Sequence, residues 1–321
     1  MSAPASDPTV VVASPEHAAL MVEVIHAAFG ARPPLDPPST AGAETHLTVA
    51  AALQAGGGVY AHLDGRPAGT ILIGTGPGGT ATFSRVSVHP ELQRHGIASA
   101  MVVAAEDLAA VQGHDRVELF AREELGELIA FWMHRGFTID RPAPHGVVLA
   151  KPLPYAVRLP TATDTQEFGR RLADLVAPGD VVVLNGELGA GKTTLTQGLG
   201  AGLGATSSVI SPTFVLSRVH DAGPGRPTLV HVDAYRLSTS AELDDLDLDA
   251  TAPDAVTVVE WGRGLVEDLW DDRLEVDLLH LAGRSGTDGG RVALLRTVGP
   301  RWAGADLTTL VEPVVAEAAH G

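Results

Sequence analysis

The chain contains no cysteine. That excludes disulfides, thiolate metal sites, iron–sulfur clusters and a cysteine nucleophile. Aromatic side chains make up only 4% of the residues, so any core must be built from Val, Leu and Ala. Lysine is almost missing: of 22 basic residues only Lys151 and Lys192 are lysines, and a lysine inside a motif therefore stands out. Positive charge is scarce overall, with 39 acids against 22 bases and a net charge of −17. A groove that tracks a nucleic-acid backbone is normally basic, so tight unaided binding to a polyanion is not expected. No apolar run reaches the ~20 residues that span a bilayer. The opening "MSAPASDPTVVVASPEH" has neither the basic region nor the long apolar stretch of a secretory signal. The expectation is a cytoplasmic protein with no membrane segment.

What is present suffices for two cores: 321 residues, 45% of them hydrophobic. The first half reads as a strand "TVVVA" and a helix "SPEHAALMVEVIHAAFG" with Ser14 as cap and Pro15 in its first turn. A weakly amphipathic helix over 43–54 follows, then two strands joined by Asp64-Gly65, and a strand "TATFSRVSVHP". Beyond these come a helix from Gly96 to Gly113, a strand "DRVELFA", a helix "ELGELIAFWMHR" and strands "GFTID" and "GVVLAKPL". The three-proline stretch "KPLPYAVRLP" is taken as a linker or shared edge, which sets domains at 1–153 and 154–321. The second half alternates helices and valine-rich strands, and its last segment "ADLTTLVEPVVAEAAH" predicts a terminal helix.

Residues Gly186-Glu187-Leu188-Gly189-Ala190-Gly191-Lys192-Thr193 fill every fixed position of the phosphate-loop pattern G-x-x-x-x-G-K-[ST], between a valine strand and a helix. Glycines let successive N–H groups turn inward on phosphate oxygens, and the helix N-terminus adds its dipole. Lys192 supplies a point charge, and the Thr193 hydroxyl is a ligand for Mg²⁺. Two carboxylates, Asp233 and Glu260, end apolar strands that should converge on this loop. Spacing does not decide which of them holds the metal. The acidic stretch "ELDDLDLDA" at 242–250 reads as a solvated face.

The motifs "NGELGAGKTTLTQGLGAGLG", "SPTFVL", "HVDAYRL" and "VVEWG", in this order, resemble the TsaE (YjeE) ATPases over about residues 157–300. The resemblance implies an ATPase that works with TsaB and TsaD in making threonylcarbamoyladenosine in tRNA, and that meets tRNA only indirectly. It implies ATP on Gly186 to Thr194, with Lys192, Asp233 and Glu260 catalytic and Mg²⁺ on Thr193 and Glu260. It also places Thr163 and Thr165 near the adenine, Trp261 beside the site and Thr213 in a switch-like loop.

In the first half, Gln93-Arg94-His95-Gly96-Ile97-Ala98 lies between a strand and a helix and fits Q/R-x-x-G-x-G/A, a pyrophosphate-gripping turn. With "AFWMHRGF" downstream, it resembles the GNAT N-acetyltransferases over about 9–153. That implies acetyl-CoA bound by backbone groups of Val86 and Val88 and by Arg94, His95, Gly96, Ile97, Ala98 and Ser99. The family's acidic tyrosine is here Trp132 and its asparagine Leu125. His89, His95, His134, Glu91 and Glu118 are nearby bases. The fold expected is α/β in two domains: an N-terminal GNAT-like mixed sheet flanked by helices and a C-terminal P-loop NTPase sheet. The alternative function is a P-loop small-molecule kinase, with Arg218, Arg226 and Arg236 as lid candidates, joined to a first domain that binds acyl-CoA without catalysis.

Overall fold

A computed structural model of the chain describes residues 7–246, 248, 252–282 and 288–310. The chain divides into two compact units, Met1–Pro154 and Tyr155–Gly321.

The first unit holds a seven-stranded sheet in the order β1-β2-β3-β4-β5-β7-β6. Its strands are β1 (Thr9–Val12), β2 (Gly58–Leu63), β3 (Arg66–Thr75), β4 (Ala81–Val88), β5 (Arg116–Arg122), β6 (Thr138–Ala143) and β7 (Gly146–Pro152). Asp64 and Gly65 both take positive φ, 49° and 76°, the signature of the tight turn that joins β2 to β3. Helices α1 (Ala18–Gly30) and α2 (His46–Ala55) bury Met21, Ile25, Val49 and Leu53 against Tyr60 and Leu72. The first turn of the α1 segment is a 3₁₀ turn, Pro15–His17, and α2 starts later than its sequence suggests because Thr45 forms a capping box with Thr48. Helix α3 (Ile97–Val111) lies on the other face: Gly69 pairs with Ala61, the pleat neighbour of Tyr60, and a Cβ on Gly69 would meet Met101 Cε at 2.5 Å. Helix α4 (Gly126–Met133) follows β5.

All pairings in this sheet are antiparallel except β4–β5, which is parallel and covers only Ala81–Phe83 against Val117–Leu119. Beyond Phe83 the two strands part. Arg85 adopts φ of 50° and the β3–β4 register shifts nearby, so the end of β4 bends away and leaves one edge unpaired.

The second unit holds another seven-stranded sheet, β10-β11-β12-β9-β13-β14-β8. Its elements are β8 (Tyr155–Leu159), α5 (Ala162–Leu172), β9 (Val181–Gly186), α6 (Lys192–Leu203), β10 (Ser217–His220), β11 (Thr228–Asp233), α7 (Ser240–Asp244), β12 (Ala255–Glu260), β13 (Arg273–Ala282) and β14 (Asp288–Val298). Strands β11, β12, β9 and β13 run parallel; β10 and β14 run against them, and β8, antiparallel to β14, runs with them again. Val181, Val182, Val183 and Leu184 are all buried, as a central parallel strand covered on both faces requires. Helices α5 and α6 cover one face with Phe168, Leu172, Leu195 and Leu199, and Leu243, Leu265 and Val266 cover the other.

The stretch read as a linker or shared edge is mostly strand. Val157 and Leu159 alternate inward and β8 pairs with β14, so only Leu153-Pro154 separates the two sheets' strands. Strand β10 has no clear sequence signal. Of the expected terminal helix, Leu307–Leu310 form a 3₁₀ turn, and residues 311–320 lie outside those described. Part of the acidic stretch 242–250 lies outside them too; its first residues end α7.

The glycines of α6 have a packing reason. A Cβ on Gly198 would lie 2.0 Å from Gln166 O, and one on Gly169 would lie 2.2 Å from Leu195 O. The backbones of α5 and α6 therefore touch, which only glycine permits, at the cost of helix propensity.

Candidate functional site

In the second unit the loop between β9 and α6 carries Gly186, Gly189 and Gly191 at φ of 141°, 82° and 107°. At Gly186 a side chain would also strike Leu278 O at 2.4 Å. Glu187, Leu188 and Gly189 are exposed at the tip, whereas Ala190 and Lys192 are buried. The Lys192 ammonium donates to Gly186 O at 2.7 Å and Glu187 O at 3.0 Å, and sits 3.7 Å from the centroid of the Trp261 ring. Burial holds this ammonium below its ordinary range, and the charges of Glu260 and Asp233 offset that only in part. Trp261 is held at φ of 64°, donates its backbone N–H to Leu184 O, and has Tyr235 5.1 Å away, ring to ring.

The two strand-end carboxylates sit side by side, because Asp233 and Glu260 are register partners on parallel strands. Their surroundings differ. Glu260 accepts from the Thr193 hydroxyl at 2.9 Å and from His231 Nε2 at 2.8 Å. Asp233 accepts from Thr213 at 2.7 Å, Ser211 at 3.2 Å and the Tyr235 backbone N–H at 3.1 Å. Thr193 and Glu260 thus bring a hydroxyl and a carboxylate together, the hard oxygen donors that suit Mg²⁺, and the open glycine cradle fits a phosphate chain. Asp233 instead anchors the segment around Thr213. Thr194 follows in the first turn of α6 and is partly buried. On α5, Thr163 is exposed, while Thr165 is buried with its hydroxyl on Thr161 O.

Three residues here had no assigned role in the sequence. His231 lies two positions before Asp233, so both project to one side of β11. Asn185 accepts from the Arg263 backbone N–H under the loop. Arg291, on β14, donates to Ala190 O at 3.0 Å. The motif "HVD" carried the signal for His231; Arg291 reaches the loop across 101 residues of chain and had none.

In the first unit the parting of β4 and β5 opens a cleft of about 890 Å³. Val86, Val88, Arg94, Gly96, Ile97, Ala98 and Ser99 all line it. His89 N bonds to Ala68 O on β3, so strand alternation turns the backbone groups of Val88 and Val86 to the open side. Gly96 has φ of 74° and caps α3, aiming that helix's first N–H groups into the cleft. His95 does not line it, and its ring bonds back to Gln93 O at 2.9 Å. Trp132 is 2% exposed and packs edge-on against Phe137, so the indole cannot serve as an acid in the cleft; Leu125 and Phe131 line it instead. Other sequence candidates are engaged: Glu91 with Arg66, Glu118 with Arg141, and His134 with Ala130 O.

A phosphate loop with a threonine–glutamate pair, on a sheet of this order, defines a P-loop nucleotide-binding unit. The family model for "Threonylcarbamoyl adenosine biosynthesis protein TsaE" matches residues 159–286, and that for "Acetyltransferase (GNAT) family" matches residues 24–137. The tRNA threonylcarbamoyladenosine biosynthesis protein TsaE of Streptomyces coelicolor is 53% identical over 146 residues, covering 45% of this chain and 98% of that protein. The crystal structure of Bacillus subtilis YdiB is 30% identical, with a TM-score of 0.38, covering 46% of this chain and 88% of that one. The PaiA N-acetyltransferase of Thermoplasma acidophilum in complex with coenzyme A is 14% identical, with a TM-score of 0.37, covering 46% and 99%. The chain belongs to the TsaE family through its second unit and carries a GNAT acetyltransferase unit ahead of it. The kinase alternative is not favoured, since the matched relatives are TsaE proteins. Among the described residues, no helix is long and apolar enough to cross a membrane.

Proposed function

We propose that the second unit hydrolyses ATP in support of a TsaB–TsaD type transferase that makes threonylcarbamoyladenosine in tRNA. The observation that carries this reading is the contact of Thr193 with Glu260 beside the buried Lys192. Mg²⁺ on Thr193 and Glu260 would neutralise phosphate charge. Lys192 exchanges its carbonyl partners for phosphate oxygens, and the glycine backbone of 186–191 holds the chain of phosphates in place. Asp233 ties the Thr213 segment to the site and orients the attacking water. Thr163, Thr165 and Trp261 border the nucleotide. The net charge of −17 supports tRNA contact through the partners rather than through this chain. The place of work is the cytoplasm.

The first unit, in the same reading, binds acetyl-CoA and transfers acetyl to an amine. The backbone of Val86 and Val88 holds the acetyl group, and Arg94 and the Gly96–Ser99 turn hold the pyrophosphate, without His95, which lies off the cleft. Hydrolysis by the full chain with no acceptor present, accelerated by the transferase pair, is the expected result for the second unit; turnover that requires a small-molecule acceptor would refute it. For the first, calorimetry should show acetyl-CoA binding to the full chain and none to Gly96→Glu. Equal binding by both would remove the assignment.

A further inference from the structure

The cleft of the first unit carries an arginine to which the coenzyme reading gives no role. Its walls carry two arginines, Arg94 and Arg32, and two carboxylates, Glu124 and Glu127. Arg94 is assigned to the pyrophosphate, and Glu124 is gripped by Arg122 from outside the cleft lining. Arg32, just past the end of α1, is different. Among the described residues no carboxylate pairs with it. Its guanidinium stacks 3.9 Å from the Phe29 ring centroid and makes one long hydrogen bond, 3.4 Å, to Val86 O. That carbonyl is on the open side of β4, on the residue whose backbone is assigned to the acetyl group. Burial pushes the Arg32 guanidinium below its ordinary range, with no neighbouring acid to offset it. A half-buried cation without a counter-ion is costly to keep, and it favours a ligand that brings one.

The position is also built rather than incidental. The segment that carries Arg32 toward α2 is fixed at three points. Arg122 donates to Asp36 O at 2.6 Å and Pro37 O at 3.0 Å, and Arg85 pairs with Glu44 at 2.6 Å. The planar guanidinium fork suits a carboxylate bidentately.

We infer that the acetyl acceptor is a primary amine that also carries a carboxylate, of the amino-acid class, with Arg32 as the carboxylate anchor beside the acetyl position. This rests on the acetyl-transfer reading of the first unit. In the reaction the neutral amine nitrogen attacks the acetyl carbonyl carbon, a C–N bond forms and the C–S bond breaks. The coenzyme leaves as thiolate and takes up the proton that the nitrogen releases through solvent. No further reactant is needed.

The test uses the full chain. Coenzyme release is followed with acetyl-CoA and a panel of amino acids, each paired with its amide and its decarboxylated amine. Binding of the same compounds to the coenzyme-loaded chain is measured by calorimetry. The carboxylate forms should be favoured by about ten-fold or more, the scale of one charged hydrogen-bonded contact. Arg32→Met should erase that preference while acetyl-CoA affinity is kept, and Arg32→Lys should keep part of it. Equal use or equal binding of acids and amides by the parental chain overturns the inference, as does failure of every carboxylate-bearing amine to bind. Loss of acetyl-CoA affinity in Arg32→Met also overturns it, by placing Arg32 on the coenzyme. If the parental chain itself fails to bind acetyl-CoA, the broader acetyl-transfer reading falls with it.

Discussion

Nε2 of His231 lies 2.8 Å from Oε1 of Glu260, and both side chains are almost wholly closed to solvent. The same carboxylate receives the Thr193 hydroxyl. His231 therefore fixes the rotamer of the glutamate proposed to hold the metal, in the way outer-shell partners orient metal ligands. Removal of such a partner costs about 10–100-fold in metal affinity or activity. We expect His231→Ala to raise the Mg²⁺ concentration needed for half-maximal nucleotide binding by that order. His231→Gln, which keeps a donor, should lose less. A fluorescent-nucleotide titration at graded Mg²⁺ checks this, and an unchanged Mg²⁺ requirement would show that the contact only fills space.

Glu260 and Asp233 are register neighbours with different partners, so their neutral replacements should differ in kind. Glu260→Gln should shift the Mg²⁺ dependence of turnover. Asp233→Asn should leave that dependence near the parental value and lower the maximal rate, because its partners are Thr213, Ser211 and the Tyr235 backbone. Steady-state turnover at several Mg²⁺ concentrations separates the two. If only Asp233→Asn moves the metal dependence, the roles are exchanged.

How much of this was legible in sequence depended on range. The phosphate loop, the strand-end acids and the pyrophosphate turn are local patterns, and each marked its own place. The β11–β12 register, which pairs Asp233 with Glu260 and brings His231 within reach, is a non-local fact that periodicity does not carry. Arg291 shows the same limit, since β14 meets the loop only through the folded sheet. The stretch 151–160 left linker and edge open because of its three prolines; Pro154 and Pro160 sit outside the hydrogen-bonded part of β8, an edge strand, where proline is tolerated. Arg32 gave no signal at all, because its interest lies in what does not face it.

The close crossing of α5 and α6 predicts a stability effect. In Gly198→Ala the new methyl would meet Gln166 O at 2.0 Å, backbone that can yield only if the helices part. Overpacking of this kind costs about 1–3 kcal/mol. That outweighs the gain of under ~1 kcal/mol in helix propensity. Chemical denaturation of the full chain should show an earlier transition for the second unit. An unchanged or later transition would mean that the contact is looser than the structure has it.

Glu124 offers a pH test in the first unit. The hydrogen bonds from Arg122, helped by its own backbone, lower its carboxyl from an ordinary 4.5 to about 2. A depressed carboxyl stabilises the fold fully above its unfolded value and loses that contribution as pH falls toward the folded one. Carbon-13 NMR of the side-chain carboxyl should therefore show Glu124 still ionised at pH values where free glutamates are protonated. Titration near 4.5 would show that the Arg122 clamp on the cleft is not formed in solution.

The central claim is that the second unit's nucleotide site serves threonylcarbamoyladenosine synthesis, and Lys192 tests it most directly. Lys192→Ala removes the one cationic side chain of the loop. The measurement is the threonylcarbamoyladenosine content of bulk tRNA, by nucleoside mass spectrometry, in cells whose sole copy of this chain carries that substitution at parental abundance. The account predicts that the modification falls to the level seen without the chain. Parental levels of the modified nucleoside in the variant would contradict it.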